Sequence, residues 1–86
     1  MNSDNISFFN RDMDLDELSI LHHLMYQEAG ECSTEHLKNS VNVFLKRPFP
    51  NVLAHLDFFG YIEINKEQVY LTDFGLEYYE QVPQFR

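Results

Sequence analysis

The chain is poor in the residues that staple or punctuate a fold. It has one cysteine, Cys32, so no internal disulfide is possible, and the expected state is a reduced thiol in a cytoplasmic protein. Three glycines leave no glycine-rich loop of the kind that cradles a phosphate. Apolar runs never approach the roughly 20 residues a membrane helix needs, so no membrane partner is expected. The opening stretch MNSDNISFFNRDMD lacks the basic start and long apolar segment of a secretory leader. Repeats and low-complexity segments are absent. Cations are scarce as well: six Lys and Arg against fourteen Asp and Glu give a net charge of -8. That balance argues against generic nucleic-acid binding, which depends on Lys and Arg meeting phosphates.

What is present is a dense apolar complement. Hydrophobic residues make up 44% of the chain, eight Phe and five Tyr among them. This is too apolar for a disordered segment, and large rings are expected to supply much of the buried area. At 86 residues the chain reads as one domain, near the small end of what buries a self-sufficient core. The expected division is an irregular arm over 1–13, a folded unit over 14–82 and a tail over 83–86.

Charge is unevenly spread. Residues 1–35 hold eight acids and only Arg11, whereas residues 36–56 hold no acid and carry Lys38, Lys46 and Arg47. Residues 57–86 return to six acids against Lys66 and Arg86. The cluster Asp12, Asp14, Asp16, Glu17, Glu28, Glu31 and Glu35 reads first as a solvated helix face that complements the helix dipole. Its second reading is a surface for a basic protein partner.

Local signals predict a first helix from about Leu15 to Ala29. Asp14 is the expected cap, Glu17 completes a capping box, and Leu18, Leu21 or His22, Met25 and Ala29 trace the apolar face. Gly30 is the expected left-handed stop. A second helix runs from Thr34 to about Phe44, capped by Ser33, with Leu37, Val41 and Phe44 or Leu45 on its inner side. The prolines of LKRPFP bar helix just before them, and a third helix follows from Pro50 to Phe59, with Val52, Leu53, Leu56 and Phe59 inward. Strands over 61–64 and 68–71 flank a polar turn at Asn65, Lys66 and Glu67. Thr72 is the cap of a last helix, and Gly75 in its first turn signals close approach of another backbone.

Together these predict an α+β fold: three helices, a two- to three-stranded β-wing and a C-terminal helix. The run Leu56-x-x-x-Gly60-Tyr61-Ile62-Glu63, followed by Tyr70-Leu71-Thr72-x-x-Gly75-x-x-Tyr78, resembles small prokaryotic and viral winged helix-turn-helix regulators over most of 14–82. The resemblance implies that the helix at 50–59 enters a major groove, with the wing beside a phosphate strand. By the same resemblance Asn51, His55 and Asn42 would lie near bases, and Lys38, Lys46, Arg47 and Lys66 near phosphates. Four cations at a slope of about 0.9 per phosphate bind feebly, so DNA binding implies a homodimer. Phe8, Phe9, Tyr78, Tyr79 and Phe85 are the expected dimer seam. The alternative is an acidic winged-helix module that binds a DNA-binding or transcription protein rather than DNA.

Catalysis finds little support. His22 and His23 are adjacent and diverge on a helix, one half-buried and one wet. Cys32 and His36 have no second pair to complete a zinc site, and a Cys–His nucleophile lacks a third orienting group. The expectation is no enzyme, no metal and no cofactor, with the aromatics serving as core rather than as stacking platforms.

Overall fold

A computed structural model of the chain describes residues 15–81. The expected arm, the Asp14 cap, Phe8, Phe9, Phe85 and the tail lie outside the described residues. Within them the order is α1 (Leu15–Met25), a 3-10 turn (Glu28–Gly30), β1 (Glu31–Ser33), α2 (Thr34–Val41), a 3-10 turn (Asn42–Phe44), α3 (Phe49–Phe58), β2 (Ile62–Asn65), β3 (Gln68–Leu71) and α4 (Asp73–Gln81). The fold is therefore α+β, four helices around a three-stranded antiparallel sheet, and is compatible with the winged-helix expectation.

The sheet runs β1-β3-β2. Glu31 pairs with Tyr70 and Ser33 with Gln68 on one side of β3, while Ile62 pairs with Leu71 and Asn65 with Gln68 on the other. Strand β1 has three residues and no alternation to announce it, so the third strand that the expected wing allowed was not located in advance. It exists because β3 offers an unpaired edge next to the chain entering α2. The hairpin turn then doubles back on that entry point, where the Thr34 amide donates to the Glu67 carbonyl at 2.7 Å.

Helix α1 ends at Met25, four residues before the expected Ala29. Its last turn tightens, Tyr26 N–H donating to His23 O and Gln27 N–H to Leu24 O. Gly30 does turn left-handed, at φ +66°, but Ala29 ahead of it does so too, at φ +59°. An alanine there is strained by about 1 kcal/mol. Helix α2 keeps its Ser33 cap, whose hydroxyl accepts from His36 N–H at 3.0 Å, but becomes 3-10 from Asn42, short of the expected Phe44. Leu45 rather than Phe44 packs inward, leaving Phe44 exposed.

The core is aliphatic where the composition pointed to rings. Leu18, Ile20, Leu21, Leu24, Leu37, Val41, Val52, Leu53, Leu56, Ile62 and Val69 fill it, with Phe49 and Tyr79 the only buried Phe or Tyr among the described residues. Tyr26, Phe44, Phe58, Phe59 and Phe74 face solvent, which corrects the expectation that the aromatics serve as core. Phe59 misses the inner face because α3 ends at Phe58, one residue before it, so the helical stripe of Val52, Leu53 and Leu56 is not continued. No helix among the described residues is long and apolar enough to cross a membrane.

Candidate functional site

The first surprise concerns Asp16 and Glu17, expected on a solvated face. They are 5% and 2% exposed. Glu17, Ile20, Leu21 and Leu24 form one stripe at helical spacing, so the carboxylate occupies a core position. Asp16 holds the turn between α2 and α3. Its carboxylate accepts from Lys46 N–H at 3.0 Å and Arg47 N–H at 3.0 Å, and Arg47 Nε donates to it at 3.3 Å. Burial pushes the Asp16 carboxyl up, but the two backbone donors and the guanidinium more than offset this and hold it below its ordinary value. Glu17 meets His55 Nδ1 on α3, and the Arg47 guanidinium lies 3.9 Å from the same oxygen.

This clasp changes the meaning of the basic island. Arg47 and His55, expected at phosphate and base, are both engaged with carboxylates of α1. Lys46 donates its backbone amide to Asp16 while the residue remains exposed. Lys38 is exposed on α2 but shares a shallow cleft with Glu35 and Glu67. Lys66 is at the hairpin turn, with φ +59°, beside the Glu67 carbonyl that Thr34 grips through both its amide and its hydroxyl. The wing is therefore tied down onto α2. Asn42 is exposed at the start of a 3-10 turn, and Asn51 is exposed on α3. The seven expected contacts thus scatter: Lys46, Arg47 and His55 at the Asp16–Glu17 clasp, Lys38 and Lys66 near Glu67, Asn51 on α3, and Asn42 apart on its 3-10 turn.

That open face consists of Pro50, Asn51, Ala54, His55, Asp57 and Phe58. It carries one acid and no Lys or Arg. Beyond it runs a ladder of rings whose Phe and Tyr members, Tyr78 of the expected seam apart, were expected in the core. His55 and Phe59 meet edge-on at 4.7 Å between centroids, and Phe59 meets Phe58 edge-on at 5.1 Å. Phe59 stacks toward Tyr61 at 6.2 Å, Tyr61 lies parallel to Phe74 at 5.2 Å and 3°, and Tyr78 tilts against Tyr61 at 4.9 Å. Phe58, Phe59 and Phe74 remain 80%, 49% and 53% exposed.

Two residues set this ladder. A Cβ at Gly75 would overlap the Tyr61 carbonyl oxygen, so only glycine lets α4 approach so closely. Thr72 accepts from Gly75 N–H at 2.9 Å, as its expected cap role requires, and its hydroxyl also lies 2.7 Å from Gly60 O and 3.0 Å from Tyr61 O. Thr72 and Gly75 together seat Tyr61 against Phe74. The sequence held this signal, since Thr72-x-x-Gly75 marked a close approach, but not which backbone came near.

Other candidates resolve simply. Tyr79 is buried, its hydroxyl 2.5 Å from His22 Nδ1, so it belongs to the core and not to a surface seam. Tyr78 is half-buried against Tyr61. Neither histidine of the pair is wet: His22 packs between Tyr26 and Tyr79, and His23 contacts Gln27 and the ring of His36. Burial, then the neighbouring His36 and His22, hold His23 below its ordinary pKa. Burial raises the Cys32 thiol, which disfavours the thiolate. Among the described residues no three His, Cys, Asp or Glu side chains gather as a metal site would need. Of the acidic region expected to meet a basic partner, Asp12 and Asp14 lie outside the described residues. Asp16 and Glu17 are consumed internally, and Glu28 and Glu35 remain exposed. Comparison with known proteins finds no matching family model, no matching curated protein and no matching solved structure.

Proposed function

We propose that this chain is a winged-helix protein-interaction module, acting on a partner protein through the exposed side of α3 rather than on duplex DNA. The order helix, strand, two helices, hairpin, helix, with β3 central, supports the winged-helix assignment. The observation that carries the functional half is the open face of α3. The surface a DNA reader would lay in the major groove has no Lys or Arg, carries Asp57, and ends in an exposed Phe58. Major-groove readers place Arg, Lys, Asn or Gln there, backed by phosphate-binding cations, and of these the face offers Asn51 alone. Here Arg47, the cation placed nearest α3 in sequence, is bound to Asp16, and the turn of the wing is tied to Thr34.

The competing DNA reading rests on Lys38, Lys46, Lys66 and Asn51, all exposed. A gel shift on mixed duplex DNA at 50 and 200 mM salt separates the two, paired with a photocrosslinking residue in place of Ala54 in cells. The expected result is no retarded band at either salt and a discrete protein adduct that survives nuclease. Retardation that falls steeply between the two salts and is abolished by Lys38→Glu with Lys46→Glu would replace this proposal with DNA binding.

A further inference from the structure

The ring ladder across the α3 end, the 59–61 turn and α4 has carboxylates along it and no Lys or Arg beside it in sequence. Asp57 precedes Phe58, Asp73 precedes Phe74, and Glu77 lies one helical turn beyond Phe74 on α4; all three are exposed. We infer that this surface captures an arginine-bearing, otherwise apolar segment of a partner protein, with guanidinium groups stacked on Phe58, Phe59 and Phe74 and paired with Asp57, Asp73 and Glu77. The inference rests on the protein-interaction reading and gives it a surface and a ligand chemistry.

Charge selects this occupant over the others. A second copy would set Asp57, Asp73 and Glu77 against their own counterparts, which like-charge juxtaposition disfavours. Stacked bases would suit the rings, but their phosphates would meet the same three carboxylates. A purely apolar helix would cover the rings and leave those carboxylates at its rim without complementary charge. Arginine satisfies both parts, because its planar guanidinium lies flat on a ring and still donates to a carboxylate at its edge. The ladder is also held ready: Gly75 and Thr72 fix Tyr61 parallel to Phe74 before any ligand arrives. Less side-chain ordering then remains to be done on binding.

The test titrates the full chain, labelled for amide NMR, with a ten-residue peptide alternating Arg and Leu, and with its Glu-for-Arg counterpart. Expected are shifts confined to 55–61 and 72–78 with the Arg peptide, and none with the Glu peptide. Phe58→Ala with Phe74→Ala should weaken binding about tenfold or more, as expected for loss of cation–π contacts. Asp73→Asn with Glu77→Gln should weaken it several-fold, while Glu28→Gln with Glu35→Gln leaves it unchanged. Since the altered rings are exposed, the variants stay folded, which the same spectra verify. No binding by the native chain, shifts centred on Glu28 and Glu35, or ring-region shifts that depend on protein concentration with a doubled mass in light scattering would each overturn the inference. Its failure beside a nuclease-resistant protein adduct at position 54 would leave the protein-interaction reading standing. A DNA adduct there would remove both.

Discussion

The carboxylates of α1 and those of the α3–α4 edge have opposite fates. Asp16 and Glu17 are buried, surrounded by N–H donors, a guanidinium and an imidazole. Asp57, Asp73 and Glu77 stay in solvent beside aromatic rings that are also in solvent. In one region charge went inside, and in the other apolar rings stayed outside. The difference shows that partners decide location. A carboxylate is buried where backbone amides would otherwise lack acceptors, and a ring stays outside where the helix stripe has ended. The first region holds the fold together, and the second leaves large rings on the surface.

Breaking the buried side should have the largest effect. Asp16→Ala strands the Lys46 and Arg47 amides and is expected to cost about 3 kcal/mol. A domain of this size would lose Tm by more than about 10 °C, measured by thermal circular dichroism. A loss below about 0.5 kcal/mol would mean that water replaces the carboxylate freely. Gly75→Ala links the two regions, because the new methyl must displace the Tyr61 carbonyl. The expected cost is about 2 kcal/mol, accompanied by loss of the Tyr61–Phe74 ring-current shifts in proton NMR.

Acid should act through Asp16. Asp16 has its folded pKa below the ordinary value, so the folded state releases that proton more readily than the unfolded one. Its contribution is complete above the ordinary carboxylate pKa of about 4 and disappears as pH falls through the lower folded value. Urea unfolding at pH 5, 4 and 3 should show stability falling more steeply for the native chain than for Asp16→Asn. His23, also depressed, adds an earlier loss as pH drops below about 6.5, which His23→Gln should remove. The smallest stability effect belongs to the exposed rings. Phe58→Ala should change unfolding free energy by less than about 0.5 kcal/mol, a value that would be exceeded several-fold if the ring were part of the core.

Signals carried by a few neighbouring residues were legible in advance. Ser33 and Thr72 cap the helices they precede, Pro48 stands between α2 and α3 although Phe49 is helical despite the proline after it, and Gly75 marks a close approach. What the chain does at longer range was not legible. The partners of Asp16 lie some thirty residues away, and besides the Arg47 guanidinium they are backbone amides, which every residue but proline carries and no sequence pattern announces. A clue did exist, since Glu17 falls on the Ile20, Leu21 and Leu24 stripe and a charge there implies a buried partner. The rings were misplaced because hydrophobicity was taken to mean burial. Phe58 and Phe59 are adjacent at a helix end, where only one side faces inward and Leu56 already fills it. Strand β1 escaped because three residues on a sheet edge carry no periodicity.

The Asp16 clasp also limits how far the helix pair can be separated from its parent. The bend joining α2 to α3 takes its shape from a side chain of α1. A graft of residues 34–58 onto another scaffold would therefore transfer two helices without the angle between them. In the growing chain, likewise, that bend gains its acceptors only once the amino-terminal helix has docked.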